Sequence, residues 1–282
     1  MPRIPGEHAC SRRERHQSHE VPSTFGICPT DRTVFRPALQ GEDPHLTARL
    51  TVPFVAGLQQ HPASGKYLLT TAMLKDFAVY NVESSQPVGG TDWQYRLSYN
   101  AVVSEADLRQ TFLPAFEAAA VERGGARSMM TSYHALNGVP TSASPIIQRE
   151  LRDRLKWEGM MMSDGGAISY MLNFKYLNLS MTDNMSAAAA AALTAGTDLN
   201  SGGYGDTKYR RESPPKHLIQ NMSGYAYEYL GDALNAGAIT MAQLQTAATR
   251  TLRLRFELGC VPAPIRPLQL RSNALRCSAF VN

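Results

Sequence analysis

An α/β fold, with a parallel sheet and helices outside it, is predicted by three features of this 282-residue chain. Short apolar runs alternate with longer stretches of helical periodicity. The order strand, helix, strand, helix is the pattern of a parallel sheet, whose crossovers need helices. Polar clusters end three of the runs: Lys75-Asp76, Ser132-Tyr133-His134 and Ser163-Asp164. In parallel sheets the chemistry gathers where strands stop and loops begin.

Taken in order, residues 1–30 read as an irregular leader rich in His, Arg, Ser and Pro. Pro44 to Gln60 reads as a helix, with Pro53 expected to kink or break it. Tyr67 to Tyr80 contains a strand-like run. Ser104 opens a helix, and Asp107 three residues on completes a capping-box pattern in which Glu or Gln is the usual partner. Leu108, Phe112, Ala115, Phe116 and Ala119 continue that helix on one face. Ala126 to Tyr133 reads as a strand and Ile146 to Trp157 as a helix. Met160, Met161 and Met162 form a short apolar strand that runs into Ser163-Asp164. Ala187 to Ala195 is helical, with Gly196 as its C-cap. Met241 to Leu258 is a last amphipathic helix that stops at Gly259, and residues 261–282 read as an irregular tail. The organising domain is therefore expected over 31–260.

Hydrophobic residues make up 43% and charged residues 18%, a balance that suits a chain able to bury a core. The net charge is +4, and much of the excess sits in the end segments, at Arg12, Arg13, Arg15, Arg266, Arg271 and Arg276. That distribution gives no nucleic-acid surface. No segment carries the long uncharged apolar run of a membrane helix, and the first twenty residues are polar and charged rather than signal-like. The four cysteines, Cys10, Cys28, Cys260 and Cys277, lie in the end segments without metal-ligand spacing; a disulfide among them is allowed but not inferable. Asn178, Asn184 and Asn221 begin N-x-S sequons, a match frequent by chance.

Asp164 is the central candidate. A carboxylate after a buried strand, followed by Gly165 and Gly166, is placed for chemistry at a strand end or for capping the helix that follows. Tyr133 is either a site residue or a half-buried core aromatic with its hydroxyl satisfied.

Several ordered motifs resemble glycoside hydrolase family 3, in its barrel domain. Ser163-Asp164-Gly165-Gly166-Ala167 resembles the family's Ser-Asp-x-x-Ala signature. Tyr99 to Glu105 with Asp107-Leu108-Arg109 resembles F-N-A-x-V-S-E-x-D-L, and Leu113 to Phe116 resembles L-P-P-F. Ser128 to Pro140 resembles S-x-M-x-S-Y-N-x-x-N-G-V-P; Gly41 to Pro44 matches G-E-D-P, and Ala195 to Leu199 matches A-G-x-D-L. The resemblance runs from about Arg36 to Gly259 and looks closest to the plant and fungal xylosidase-like and glucosidase-like branch. It implies a TIM-type (β/α) barrel and retaining hydrolysis of terminal β-linked glucose or xylose. It also implies Asp164 as nucleophile, Lys75 as a sugar-binding residue, Tyr133 close to the nucleophile, and Arg36 as a sugar-binding Arg once one residue is skipped. Carbohydrate is the implied partner, and neither a cofactor nor a metal is implied. Members of the family are often secreted.

Three departures qualify that expectation. The family's Lys-His pair reads Lys75-Asp76 here, and an ionised Asp can only accept where a His can donate. Forty residues precede Gly41, where the family has roughly a hundred more, so a partial barrel of fewer than eight strands is expected. The branch's usual acid/base is a Glu in a second domain after the barrel. Glu83 and Asp76 are the nearest substitutes by sequence. A glycosidase, a non-catalytic binder of carbohydrate or a protein partner, and a partial gene product all remain open at this point.

Overall fold

A computed structural model of the chain describes residues 25–26, 43–60, 67–81, 100–122, 125–172, 184–202 and 226–260. Its centre is a four-stranded parallel sheet built from β1 (Phe25–Gly26), β2 (Met73–Phe77), β4 (Ser128–Thr131) and β7 (Met160–Met162), adjacent in that order. The register pairs Met73 with Ser128, and Ser128 in turn with Met160. A parallel bridge from Met162 to Leu199 extends the sheet beyond β7. The crossovers are helical, as parallel connections require. Strand β1 lies within the stretch read as irregular from sequence; two residues are too short to show any period.

Each helix forms where local chemistry allows it. Helix α1 (Pro44–Gln59) starts with Pro44 in the first turn, and Asp43 accepts a hydrogen bond from the Leu46 amide at 2.9 Å. It continues through Pro53, so of the kink or break expected there the break does not occur. Pro53 is exposed, so the carbonyl left without a partner one turn earlier can be solvated. Its buried stripe is Thr47, Thr51, Val55 and Gln59. The Gln59 side chain then aligns two strands, accepting from the amides of Ala72 and Arg127 and donating to the Gly125 carbonyl.

Residues 105–122 form α2, a succession of helical turns that includes wider π-type segments at Leu108–Phe112 and Ala118–Glu122. Ser104 caps it by accepting from the Asp107 amide, but the Asp107 carboxylate accepts the Ser104 hydroxyl rather than returning to the backbone. The reciprocal box expected there is therefore only half formed. Helix α3 (Ile147–Arg154) is also π-wound. It is clamped to α2 through Glu150, whose carboxylate receives Arg109, Arg149 and Arg154. Helix α5 (Met185–Ala195) ends at Gly196, with φ 104° in the left-handed region that glycine tolerates.

The strands alternate their side chains between two covered faces. Leu74, Phe77, Met129 and Met161 point to the outer helices, where Val55, Leu108, Phe116, Leu151 and Trp157 complete the core. Met73, Met130 and Met160 point the other way, onto Leu254 of α7 (Met241–Glu257). Helix α7 begins with a full capping box between Thr240 and Gln243. A small rim sheet follows β4. There β5 (Ala135–Leu136) pairs parallel with β3 (Asn100–Ala101) and antiparallel with β6 (Val139–Pro140). The turn at Asn137-Gly138 has positive φ at both residues, as a tight hairpin needs. The four parallel strands and their bridge are fewer than the eight of a closed barrel, and no closed barrel forms among the described residues.

Candidate active site

The carboxyl ends of β2, β4 and β7 lie side by side, and each delivers one polar residue to the same place. Met160 and Met161 anchor β7 in the two faces of the core, so the chain leaves the sheet at Ser163-Asp164 in a fixed direction. Ser163 is stitched to the neighbouring segment: its amide donates to the Leu199 carbonyl and its hydroxyl to Asn200 Oδ1 at 3.0 Å. Gly166 has φ 73°, and its amide donates to the Gly202 carbonyl. Asp164 is thus held between two chain segments pinned from the next position in the sheet.

Two hydrogen-bond donors and one cation converge on the Asp164 carboxylate. Lys75 Nζ of β2 lies 3.2 Å from Oδ2. The Tyr133 hydroxyl, just past β4, donates to Oδ1 at 3.1 Å, and the Gly165 amide donates to the same oxygen at 2.6 Å. The Asp164 side chain is 12% exposed and that of Lys75 14%, so the pair is largely but not wholly withdrawn from water. Asp164 does not cap the helix that follows: α4 (Ala167–Tyr170) has Gly166 at its N-cap. The Tyr133 ring packs among Tyr80, Ala167 and Tyr170, with the Tyr170 ring edge-on at 6.0 Å.

Asp76 follows Lys75 directly, is 7% exposed, and has φ 65°. Strand β2 slips register between Leu74 and Phe77, and that irregularity carries the Lys75-Asp76 pair. The structure therefore brings Lys75, Tyr133 and Asp164 together and sets Asp76 beside them in sequence. Arg36 and Glu83 lie outside the described residues.

Residue-type reasoning left one neighbour without a role. His134 stood in a polar cluster of the sequence but was assigned nothing. It is completely buried, with Nδ1 2.8 Å from Ser132 Oγ and the Tyr80 ring 5.2 Å away. Burial lowers its pKa to about 3, against the opposing pull of backbone hydrogen bonds with Ala78 and Val79. The signal is its place three residues beyond a buried strand, where a second polar side chain must find partners. Among the described residues no group of His, Cys, Asp and Glu is arranged to hold a metal, and no helix is long and apolar enough to cross a membrane.

The fold and the convergent site define a class: an α/β domain built as part of a TIM-type barrel, with a Lys- and Tyr-held carboxylate at the strand ends. Residues 39–254 match the model of the glycosyl hydrolase family 3 N-terminal domain. The chain belongs to glycoside hydrolase family 3.

Its relatives include a beta-xylosidase/alpha-L-arabinofuranosidase of Medicago sativa subsp. varia, 32% identical over 58% of this chain and 20% of that protein. An exo-1,4-beta-xylosidase of Emericella nidulans is 32% identical over 81% of this chain and 26% of its own length. The chain thus spans a fifth to about a quarter of these relatives. Among solved structures, a family 3 exo-β-xylosidase bound to a xylobiose aziridine activity-based probe is similar in fold, with TM-score 0.61 and 22% identity, over 86% of this chain and 28% of that one. A β-glucosidase from Listeria innocua in complex with isofagomine gives TM-score 0.61 and 22% identity, over 91% of this chain and 32% of the other.

Proposed function

We propose that this chain carries the nucleophile side of a retaining glycosidase site acting on terminal β-linked glucose or xylose, with Asp164 as the nucleophile. The observation that supports this reading is the convergence of Lys75, Tyr133 and the Gly165 amide on one carboxylate at the strand ends. The Tyr133 and Gly165 donors fix the orientation of the carboxylate, and the Lys75 ammonium stands beside its other oxygen, which sets the carboxylate for attack on an anomeric carbon. Attack on the anomeric carbon breaks its bond to the leaving-group oxygen, which departs as the aglycone alcohol, and forms a glycosyl-enzyme; water then cleaves the sugar–carboxyl bond, releasing the free sugar and regenerating the carboxylate. Lys75 and Asp76 would hold sugar hydroxyls, Asp76 as an acceptor only. Arg36 is proposed as a further sugar ligand. The domain carrying the site is placed at 31–260, between a leader of 1–30 and a tail of 261–282.

A second reading, carbohydrate or protein binding without turnover, is favoured by Asp76. It places a second acidic side chain next to Lys75 in a buried position, where like charge opposes the ionised nucleophile. The two readings part on activated substrates. An aryl leaving group departs with little help from an acid, so aryl β-xylosides and β-glucosides should be cleaved first, though slowly. In that assay Asp164→Ala should lower turnover more than about a thousandfold. A fluorinated glycosyl fluoride that traps the intermediate should leave its sugar on the peptide containing Asp164. Label on another carboxylate, or full activity in Asp164→Ala, would sink the nucleophile assignment. A folded chain that binds the glycosides without cleaving them would establish the second reading.

A further inference from the structure

We propose that the amino end of the sheet carries a second binding site, which takes a small phosphate monoester between Arg127, Arg250 and Arg253. It lies at the opposite end of the strands from Asp164 and does not depend on the reading of Asp164 as a nucleophile.

Three elements meet there. Arg127 comes immediately before β4 and Glu158 two residues before β7. Arg250, Arg253, Leu254 and Glu257 follow one another at steps of three, one and three residues along α7, which puts them on one face of the helix. Together they line a cavity of about 320 Å³, at the small end of the range that holds small molecules. The charges around it do not cancel. Arg253 pairs with Glu158, and Arg127 Nε lies 3.4 Å from the Glu257 carboxylate. Arg250 donates to Asp198 at 2.9 Å, but that aspartate is shared with the buried Arg152. These groups therefore carry one positive charge in excess. Both glutamate pairs reach solvent, with the Glu158 side chain 75% exposed, so water screens them and an entering anion displaces them at little cost. Each glutamate serves one guanidinium, whereas a phosphate group has oxygens for several, and guanidinium forks match its geometry. The buried Leu254 side chain adds an apolar surface on which the organic part of a monoester can lie.

The test is a calorimetric titration of the full chain with phenyl phosphate and with inorganic phosphate, at an ionic strength held constant with sodium chloride. Phenyl phosphate should give saturable heat with a dissociation constant on the order of 1 mM, and inorganic phosphate should bind severalfold more weakly. Arg127→Gln and Arg253→Gln should each weaken binding roughly tenfold. Both side chains are about half exposed, so neither variant is expected to disturb folding. Glu158→Gln should act in the other direction and tighten binding roughly threefold, because no carboxylate then competes for Arg253. Lys75→Gln, at the far end of the strands, should leave the affinity unchanged. Ion pairs that only fasten α7 to the sheet would give no saturable heat, and that result overturns the inference. So does weaker binding in Glu158→Gln, or a loss in Lys75→Gln with the arginine variants unaffected. Inorganic phosphate bound as tightly as phenyl phosphate overturns the monoester in favour of the free ion. Turnover plays no part in these titrations, so their outcome is separate from that of the Asp164 assays.

Discussion

The two ends of β7 each hold a buried aspartate paired with cations, and they put that chemistry to different uses. At the amino end Asp198 is 1% exposed in its side chain. Arg152 and Arg250 each donate to it at 2.9 Å, and the Met161 amide does the same. Arg152 also donates to the carbonyls of Trp157 and Gly159, and its guanidinium lies 4.8 Å over the Trp157 ring. Burial raises the Asp198 pKa and lowers that of Arg152 to about 10, so each charge persists only through its partners. At the carboxyl end Asp164 has one cation, one hydroxyl and one amide, and its side chain is 12% exposed. The sealed pair fastens helix to strand. The second pair holds its carboxylate in one orientation at a strand end, where the proposed function needs a nucleophile. In a parallel sheet stability collects at the first end and chemistry at the second.

The largest way to break this comparison is to remove Asp198. Asp198→Ala leaves Arg152 buried without its counter-charge and should cost about 3–5 kcal/mol of stability. Urea unfolding measures it, and Asp164→Ala in the same titration should fall within about 1 kcal/mol of the unsubstituted chain. Equal losses at the two positions would erase the distinction between the ends.

Acid should act more gradually. His134 has a folded pKa of about 3 against 6.5 in the unfolded chain, so the unfolded state binds more protons between those values. Its contribution to stability is therefore complete above pH 6.5 and erodes as pH falls toward 3, at up to about 1.4 kcal/mol per pH unit. Unfolding midpoints at pH 6.5 and 5.0 report it before the carboxylates protonate. His134→Gln should flatten the slope in that interval; an unchanged slope would mean that another group titrates there.

The smallest effect belongs to Tyr133. Tyr133→Phe removes one donor to Asp164 and keeps the ring packing among Tyr80 and Tyr170. A loss of about 1 kcal/mol in transition-state stabilisation, near fivefold in kcat/KM on an aryl glycoside, is expected with little change in melting temperature. A variant that loses melting temperature but no activity would make Tyr133 a core aromatic, joining the sealed end in kind.

Much of this was legible in the residues. Period and apolar runs located β2, β4, β7 and the longer helices but not the helical turns at Ala226–Tyr229 and Leu230–Asn235, and the polar clusters at the strand ends held Lys75, Tyr133 and Asp164. Fine geometry was hidden. Pro53 marked a kink or break in α1, and the helix runs on through it because the residue is exposed. The true capping box, Thr240 with Gln243, lay unremarked, while Ser104-Asp107 supplied only half of one. Strand β1 was invisible because two residues carry no period. The burial of His134 was hidden as well, because the Tyr80 ring that packs against it lies more than fifty residues away, which no local pattern reports.

Helix α7 gives the chain a timetable. Leu254 covers the face formed by Met73, Met130 and Met160, and the Glu257 carbonyl accepts the Leu68 amide just ahead of β2. Strands made early therefore keep one greasy side uncovered until nearly two hundred further residues have left the ribosome, at roughly 5–20 residues per second. For that interval the nascent sheet is exposed to aggregation, and covering it waits on the synthesis of α7.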